Sequence, residues 1–228
     1  MKKVDVIIPA YLPDKKNLIL LQRAINSLEQ QTFKDFNILI ILNGLFDSFE
    51  NIKNYLKFPQ NTEFFNLDGK TSGAIARNFG ISKSNAKFIA QLDADDQYHP
   101  EKLKEQISIF ENNDSLDIVG CLAMTVKQDG SLVNSVCYPN KCESHEQITS
   151  IIEYENVICH SSVMFKRESF LKLGGYDTRY KPGTFWPNYG RLMWEDWDLW
   201  IRAKLFGMKM YNISQHLYYW SEGTSVDR

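Results

Sequence analysis

Short apolar runs alternate with amphipathic segments through the first half of the chain. The apolar runs are rich in β-branched and aromatic side chains, which is typical of buried strands. They lie at residues 3–9, 36–42, 63–67 and 88–92. The segments between them repeat apolar residues at spacings of three and four, which predicts helices that pack by one face. These predicted helices lie at residues 17–31, 49–56, 72–84 and, after Pro100, 100–110.

This alternation of strands and helices favours one fold class. It predicts an α/β domain whose mostly parallel sheet is covered by helices on both faces. In such sheets, ligands bind at the carboxyl ends of the strands. A functional site is therefore expected where the strands of the first half end.

The second half of the chain has a different pattern. Two apolar stretches flank Asp129 and Gly130, a dipeptide typical of a hairpin turn. A long segment rich in Gly, Pro and Tyr covers residues 174–190, and loops of that length are usually functional. Further strands are predicted at residues 118–127, 132–138, 162–166 and 209–213, and helices at residues 144–155 and 195–206.

A cluster of carboxylates directly follows the apolar run that ends at residue 92. Asp93, Asp95 and Asp96 occupy three of four consecutive positions. Like charges this close repel one another, and a nearby cation relieves the repulsion. A hard divalent ion held by oxygen ligands is the usual partner of such a cluster. A solvated acidic turn closed by Pro100 is the simpler alternative.

Composition narrows the possible functions. The chain has 228 residues and a formal net charge of −2, which argues against nucleic-acid binding by phosphate neutralisation. Its four cysteines form no Cys-x-x-Cys pair, so a structural zinc site is not expected. The apolar run at residues 38–42 is far too short to span a bilayer. We expect a cytoplasmic protein with free thiols, and peripheral contact with the inner face of the membrane remains open.

Several short motifs occur together in a fixed order. They are Val-Ile-Ile-Pro-Ala-Tyr at residues 6–11, Gly-Ala-Ile-Ala-Arg-Asn-Phe-Gly at 73–80, Leu-Asp-Ala-Asp-Asp at 92–96, Gly-Gly-Tyr-Asp at 174–177 and Glu-Asp-Trp-Asp-Leu-Trp-Ile-Arg at 195–202. With them, the chain resembles the family 2 glycosyltransferases of the GT-A fold over about residues 3–207. The resemblance implies a Rossmann-like, mostly parallel sheet flanked by helices, with a smaller mixed sheet on the acceptor side.

The resemblance also implies an activity. The expected protein is an inverting, metal-dependent hexosyl- or N-acetylhexosaminyltransferase of bacterial surface polysaccharide biosynthesis. It would move a sugar from a nucleotide diphosphate-sugar, with a UDP-sugar as the expected donor, to a hydroxyl of a glycan or lipid-linked acceptor. Residues 1–97 would form the nucleotide-sugar-binding half, and residues 98–228 the acceptor-binding and catalytic-base half of the same continuous domain. The oligomeric state stays open.

The resemblance assigns roles on the donor side. Asp95 would bind Mn²⁺ or Mg²⁺, and Asp93 would contact the ribose or the metal shell. Arg77 would approach the diphosphate, since its guanidinium suits phosphate oxygens, although a surface arginine is the simpler alternative. Tyr11 would stack on the base or be a core tyrosine. The full expected donor set is Pro9, Ala10, Tyr11, Asn43, Arg77, Asn78, Asp93 and Ala94.

One donor position departs from the family pattern. Family members usually end the second strand with paired Asp, one of which contacts the base, whereas this chain has Leu42, Asn43 and Gly44. An amide offers both a donor and an acceptor, so Asn43 can still bond a pyrimidine edge. It carries no negative charge, which weakens the argument for uridine.

The acceptor side carries the expected catalytic base. Asp196 would take the proton of the acceptor hydroxyl, and Glu195 would orient the acceptor or the donor. The alternative is that these acids merely suit the N-terminus of a helix. Trp186, Tyr189 and Trp194 would form an acceptor-binding wall, since sugar faces pack on aromatic rings, or they would pack the last helix onto the sheet.

Two other functions remain open. A non-catalytic nucleotide-sugar-binding partner subunit would explain Asn43 and the unusual Trp220-Ser-Glu-Gly tail, but both acidic motifs argue against it. A nucleotidyltransferase shares the sheet type and an acidic metal site, but the chain lacks the Gly-rich, basic first loop of such enzymes. Donor hydrolysis that depends on a divalent metal distinguishes the first alternative from an active transferase.

Overall fold

The computed structural model describes residues 2–127, 131–137, 142–179, 185–186, 191–192 and 194–222. Its strands are β1 (Val4–Tyr11), β2 (Phe36–Asn43), β3 (Thr62–Leu67), β4 (Phe88–Gln91), β5 (Gln97–Tyr98), β6 (Leu116–Val126), β7 (Leu132–Cys137), β8 (Met164–Lys166), β9 (Phe185–Trp186), β10 (Arg191–Leu192) and β11 (Lys209–Ser221). Its helices are α1 (Lys15–Glu29), α2 (Phe49–Tyr55), α3 (Gly73–Lys83), α4 (Lys102–Asn112), α5 (His145–Ile151), α6 (Arg167–Lys172) and α7 (Glu195–Leu205), with a 3₁₀ turn at His160–Ser162.

Nine of the described strands form one sheet. Along its main path the order is β3-β2-β1-β4-β8-β6-β11-β5, and β7 pairs with β6. Strands β3, β2, β1 and β4 are parallel, as the alternation in the first half predicts. The second half continues the same sheet with mixed directions, because β8 is antiparallel to both β4 and β6 while β11 is parallel to β6. Strands from residues 1–97 and from residues 98–228 therefore share one sheet, and the division of roles near residue 97 stays a prediction.

Helices cover both faces of the sheet. Side chains that alternate along β1 point to opposite faces: Val6 belongs to one buried cluster and Ile7 to the other. The first cluster includes residues of α1, α2 and α4, and the second includes residues of α3, α5, α6 and α7. Strands buried on both faces explain why the apolar runs of the first half are nearly continuous.

Local sequence signals fix several helix starts. Ser72 caps α3 by accepting a hydrogen bond from the backbone of Ile75. Ser144 caps α5 in a capping box with Gln147. The predicted helix over residues 144–155 is too long, however, because α5 ends at Ile151. The segment after α5, residues 152–159, contributes to one wall of the site described below.

The C-terminal part differs most from the sequence prediction. A short strand is predicted at residues 209–213, but β11 extends to Ser221 through the aromatic tail. Helix α6 and the two-residue strand β5 are absent from the prediction. Among the helices within the described ranges, none combines the length and apolar character that crossing a bilayer requires. In the same ranges, the free thiols are Cys121, Cys142 and Cys159.

Candidate functional site

A cavity of about 1040 Å³ opens at the carboxyl ends of β1 and β4. This is the edge where the fold class predicts a ligand site. Its walls come from the N-terminal turns of α3 and α7, the segment between α5 and β8, and the end of β11. Its lining residues are Tyr11, Lys70–Ala74, Arg77, Asp93, Asp96, Ala123, Tyr154–Asn156, Ile158–Ser161, Trp194–Trp197, Tyr218 and Trp220.

Arg77 lines this cavity and joins the two acidic motifs. Its side chain is 9 % exposed, and its Nη2 lies 2.7 Å from Asp93 Oδ1. Its Nη1 lies 3.3 Å from Glu195 Oε1. Burial alone would lower the pKa of Arg77, but the charges of Asp93 and Glu195 outweigh it and raise that pKa above its ordinary value. Arg77 therefore stays a cation, and the surface-arginine alternative is wrong.

The acidic turn after β4 is held by hydrogen bonds rather than left in solvent. Asp93 accepts hydrogen bonds from Arg77 and from the hydroxyl of Ser161. Asp96 is 1 % exposed and accepts from the Tyr218 hydroxyl at 2.5 Å and from the Ser221 backbone at 2.7 Å. Burial raises the pKa of Asp96, and the neighbouring charges add to that rise. Asp96 thus fastens the turn to β11, while Asp93 faces the cavity.

Asp95 and Ala94 lie in the same turn but are not among the cavity-lining residues. Within the described ranges, no group of three His, Cys, Asp or Glu side chains lies close enough together to hold a metal ion. A cation held here would therefore need most of its ligands from elsewhere. Small divalent ions are commonly bound through one or two carboxylates and the phosphates of a substrate, so the acidic turn fits a metal that arrives with a diphosphate.

The end of β1 and the segment before α3 form another part of the lining. Tyr11 lines the cavity, and Lys70 Nζ lies 4.9 Å from the centre of its ring. Gly44, with a φ of 57°, passes directly beside that ring. Pro9 and Ala10 precede Tyr11 on β1 and do not line the cavity, and Ala10 is completely buried.

Two amides that were expected to contact the donor bond to backbone atoms. Asn43 is 3 % exposed; it donates to Ala10 O and accepts from Thr71 N. Asn78 donates to Tyr176 O at 2.8 Å and accepts from Tyr176 N at 2.9 Å. Neither amide lines the cavity. Direct contacts of Asn43 with a base and of Asn78 with a sugar stay untested predictions, and in this arrangement both residues position backbone.

Tyr176 links several parts of the site. Its hydroxyl lies 2.8 Å from His160 Nε2, and its ring faces the Arg77 guanidinium at 5.9 Å. It is 2 % exposed, and burial raises the pKa of its phenol, which stays neutral. The Asn78 bonds hold its backbone against α3. Tyr176 therefore places a neutral aromatic ring beside the Arg77 guanidinium.

Asp196 lies in the first turn of α7, on the cavity wall. Burial raises the pKa of its carboxyl to about 6, and the Glu195 charge adds to the rise. The Trp197 backbone, the Asn156 amide and the Arg77 charge act in the opposite direction. Asn156 Nδ2 lies 3.0 Å from Asp196 Oδ2. A carboxyl with such a pKa takes up a proton readily near neutral pH, which is a property of general bases.

The expected acceptor wall is only partly described. Trp194 precedes α7, is 41 % exposed and lines the cavity. Trp186 pairs with Arg191 between the antiparallel strands β9 and β10. Tyr189 lies outside the described residues. Trp197 lines the cavity and donates to Ile152 O at 2.6 Å, so it also packs α7 onto the rest of the fold.

Sequence analysis missed several residues of this site. Ser161, Tyr218 and Asn156 lie outside every motif quoted above. Tyr176 belongs to the Gly-Gly-Tyr-Asp motif, but the motif alone assigns it no role. Asn156 directly follows the helix predicted over residues 144–155 and carries no signal of its own. A predicted helix end at Ile151 would have shown that Asn156 lies on a longer loop. The apolar spacing continues through Ile152, however, and conceals that end.

A comparison with protein families identifies the chain. Residues 5–174 match the model of glycosyl transferase family 2. The chain belongs to this family. The match includes the cavity residues from Tyr11 to Ser161 and the acidic motif after β4, and it ends before the cavity residues of α7 and β11.

Similar proteins support the family and the fold. The chain is 30 % identical to the O-antigen biosynthesis glycosyltransferase WbnJ of Escherichia coli, over 78 % of this chain and 64 % of that protein. It is 28 % identical to the amylovoran biosynthesis glycosyltransferase AmsB of Erwinia amylovora, over 93 % of this chain and 67 % of that protein. The chain thus spans about two thirds of the length of these relatives.

Solved structures give the fold class independently. A crystal structure of S. aureus TarS 1-349 in complex with UDP-GlcNAc superimposes with a TM-score of 0.72 and 18 % sequence identity, over 98 % of this chain and 60 % of that one. A crystal structure of the same fragment with UDP gives a TM-score of 0.71 over 96 % of this chain. The prediction of an α/β fold of the GT-A type is confirmed.

Proposed function

We propose that this family 2 chain is an inverting glycosyltransferase that moves a sugar from a UDP-sugar to a hydroxyl of a glycan or lipid-linked acceptor. One observation carries the proposal. Arg77 joins Asp93 of the first acidic motif to Glu195 of the second, and Asp196, whose pKa is raised to about 6, lies next to Glu195 in the same cavity. A donor-side acid and a proton-accepting acid therefore face one space.

The donor would lie between Tyr11 and the turn after β4. The Tyr11 ring, with Lys70 above it, offers a stacking surface for the base. Arg77 would approach the diphosphate while it keeps Asp93 in place, and Asp93 would contact the ribose. The UDP-GlcNAc complex of TarS supports a uridine nucleotide as the first donor to test.

Charge balance supports a divalent cation. Five carboxyl groups line the cavity, from Asp93, Asp96, Glu155, Glu195 and Asp196, whereas its lining includes two strongly basic side chains, Lys70 and Arg77. A diphosphate would enter this acidic space more easily as a metal complex. Oxygen ligands from the acidic turn, with Asp95 as the expected direct ligand, suit Mn²⁺ or Mg²⁺. The bound ion would stabilise charge on the leaving diphosphate.

Asp196 would act on the acceptor. Its carboxylate takes the proton of the acceptor hydroxyl while that oxygen bonds to the anomeric carbon. The bond from that carbon to the diphosphate oxygen breaks, and the nucleoside diphosphate leaves with the electron pair. Attack from the face opposite the leaving group inverts the anomeric configuration. General-base help of this kind contributes about 10²–10⁴-fold to the rate.

The acceptor would approach past Trp194 and the tryptophans of α7. WbnJ and AmsB, by their names, serve O-antigen and amylovoran biosynthesis, and this supports a bacterial surface polysaccharide as the setting. A lipid-linked acceptor would place the protein at the inner face of the cytoplasmic membrane. Trp186 and Tyr189 remain proposed contributors to the acceptor wall.

The test uses water as the first acceptor. The purified chain is incubated with UDP-GlcNAc or UDP-glucose and Mn²⁺, and released UDP is measured with and without EDTA. We expect metal-dependent release that Asp196→Asn lowers by about 10²–10⁴-fold. Asp114→Asn, at an exposed acid outside the cavity, is the matched control and should keep wild-type rates.

Donor binding separates catalysis from binding alone. UDP with Mn²⁺ should raise the melting temperature of the wild type and of Asp196→Asn equally, since ligands of the native state stabilise it. Wild-type UDP release by Asp196→Asn would refute the assigned base. Binding of UDP-sugars without hydrolysis or transfer to any acceptor would favour the non-catalytic partner subunit.

A further inference from the structure

Asn156 lies on the segment between α5 and β8 and faces the proposed base from outside α7. Its Nδ2 donates to Asp196 Oδ2 at 3.0 Å. Its Oδ1 accepts from the Ile158 backbone N–H at 3.4 Å. Because only the amide oxygen can accept from that N–H, the second contact fixes which end of the amide faces Asp196. The donor end is therefore directed at the carboxylate.

The segment that carries Asn156 is fastened on both sides. Before it, Ile152 O accepts from the Trp197 indole at 2.6 Å, which ties the end of α5 to α7. After it, Val157 and Ile158 are almost completely buried, and Val157 O accepts from Asn212 Nδ2 at 3.0 Å. The amide is thus held by its surroundings before any substrate arrives, which lowers the cost of keeping it in place.

We propose that Asn156 is a positioning residue for the catalytic base: it holds Asp196 Oδ2 so that Oδ1 takes the proton of the acceptor hydroxyl. This inference rests on the proposed role of Asp196 as the base. A carboxylate whose one oxygen is fixed by an amide keeps a single orientation toward the acceptor. The amide also stabilises the ionised form, because it donates a hydrogen bond to a negative charge.

Asn156 opposes the groups that hold a proton on Asp196. Burial and the Glu195 charge raise the pKa of Asp196, whereas the Asn156 amide, the Trp197 backbone and the Arg77 charge lower it. The Asp196 charge adds to the rise in the pKa of the Tyr176 phenol, which stays neutral, and Glu155 and His160 line the same cavity. The Asn156 amide carries no charge, so a substitution at this position changes the proton affinity of Asp196 without removing a charge from the site.

Two substitutions of Asn156 separate the loss of its hydrogen bond to Asp196 from the gain of a negative charge. Asn156→Asp has nearly the same shape and keeps the oxygen that meets Ile158 N, but it replaces the donor with a second carboxylate. Asn156→Ala removes both contacts. Asn51 provides a matched control, because its amide also donates to a carboxylate, Asp47, at 3.0 Å, but on the exposed surface of α2. Asn51→Asp and Asn51→Ala therefore control for loss of an Asn–Asp hydrogen bond in general.

The first measurement is the pH profile of UDP release from UDP-GlcNAc with Mn²⁺. We expect the acid limb to move to higher pH by about one unit in Asn156→Ala, since hydrogen bonds to charged groups are worth roughly that much. It should move further in Asn156→Asp, where a like charge is added. kcat should fall with little change in KM for the donor. The Asn51 variants should keep the wild-type profile.

The second measurement needs no turnover. The carboxyl carbon of Asp196 is followed by NMR against pH, with its signal assigned by its loss in Asp196→Asn. A higher titration midpoint in both Asn156 variants supports the inference, and an unmoved midpoint overturns it. Wild-type UDP release by Asp196→Asn overturns the proposed function instead. Lower activity of the Asn156 variants without any movement of the acid limb would mean a purely structural role and would also overturn the inference.

Discussion

Removal of the Arg77 charge tests the reasoning behind the whole site. In Arg77→Met, the aliphatic stem is largely kept, but Asp93 and Glu195 lose their shared cation. Their side chains are 19 % and 23 % exposed, so neither is fully solvated. Breaking a buried ion pair by removal of one partner costs about 3–5 kcal/mol. The partial exposure of both acids places the expected loss near the lower end, at about 3 kcal/mol.

The measurement is thermal unfolding at pH 7.5, without added metal or nucleotide. For a chain of this length, a loss of about 3 kcal/mol lowers the melting temperature by about 6–12 °C. Arg179→Met is the matched control: its guanidinium lies 2.6 Å from Asp177, but its side chain is 76 % exposed. Exposed pairs contribute less than about 1 kcal/mol, so this variant should melt within about 4 °C of the wild type.

Donor binding gives a second consequence of the same substitution. If Arg77 approaches the diphosphate, Arg77→Met should weaken UDP binding in addition to its effect on stability. Arg77→Lys should restore much of the stability but less of the binding, because an ammonium lacks the planar pair of donors. Equal melting temperatures for Arg77→Met and Arg179→Met would refute the role of Arg77 as the buried cation that Asp93 and Glu195 share.

Three further substitutions give independent tests by thermal unfolding. Asp196→Asn should be more stable than the wild type by up to about 2 kcal/mol at pH 7.5, because the raised folded-state pKa of Asp196 makes its ionised form costly. This gain in stability should shrink as the pH falls through 6 toward 4, where the wild-type carboxyl becomes protonated. Gly44→Ala should lose about 1–3 kcal/mol and weaken UDP binding, because its φ is 57° and a Cβ there would lie 2.2 Å from the Tyr11 ring. Gly120→Ala should lose about 1–3 kcal/mol, because its Cβ would lie 2.3 Å from Asn212 Oδ1 in the interior.

The first half of the fold could be predicted because its signals are local. Strands buried on both faces produce continuous apolar runs, and α1 to α4 each bury one face, so periodicity indicates both. Strand β11 is an element whose length periodicity does not predict. Its pairing with β6 shifts register between Ile213 and His216 and again between His216 and Tyr218. Such irregularities disrupt the two-residue alternation by which a strand is recognised.

The candidate site likewise has a part that local sequence signals predict and a part that they do not. Acidic motifs at the end of β4 and the start of α7 are visible in the sequence, and fold rules place the first of them at a ligand-binding edge. The partners that give these acids their properties come from distant segments. Arg77 meets Glu195 across 118 positions and Asn156 meets Asp196 across 40. No local pattern encodes such pairs, since they follow from the packing of α3, α5 and α7 on one sheet.

The two amides of the expected donor site show what residue type alone leaves open. An amide side chain carries one acceptor and one donor group, which matches a backbone N–H and C=O as well as it matches a base edge. Asn43 and Asn78 each bond to backbone with both groups, and buried polar groups that are satisfied in this way are costly to free. Under the proposed function, recognition of the donor would then depend on the lining side chains Tyr11, Lys70 and Arg77. A stacking ring and two cations select for an aromatic base and a diphosphate more than for one base edge, so we expect Tyr11→Ala to weaken UDP binding much more than Asn43→Asp does at equal stability.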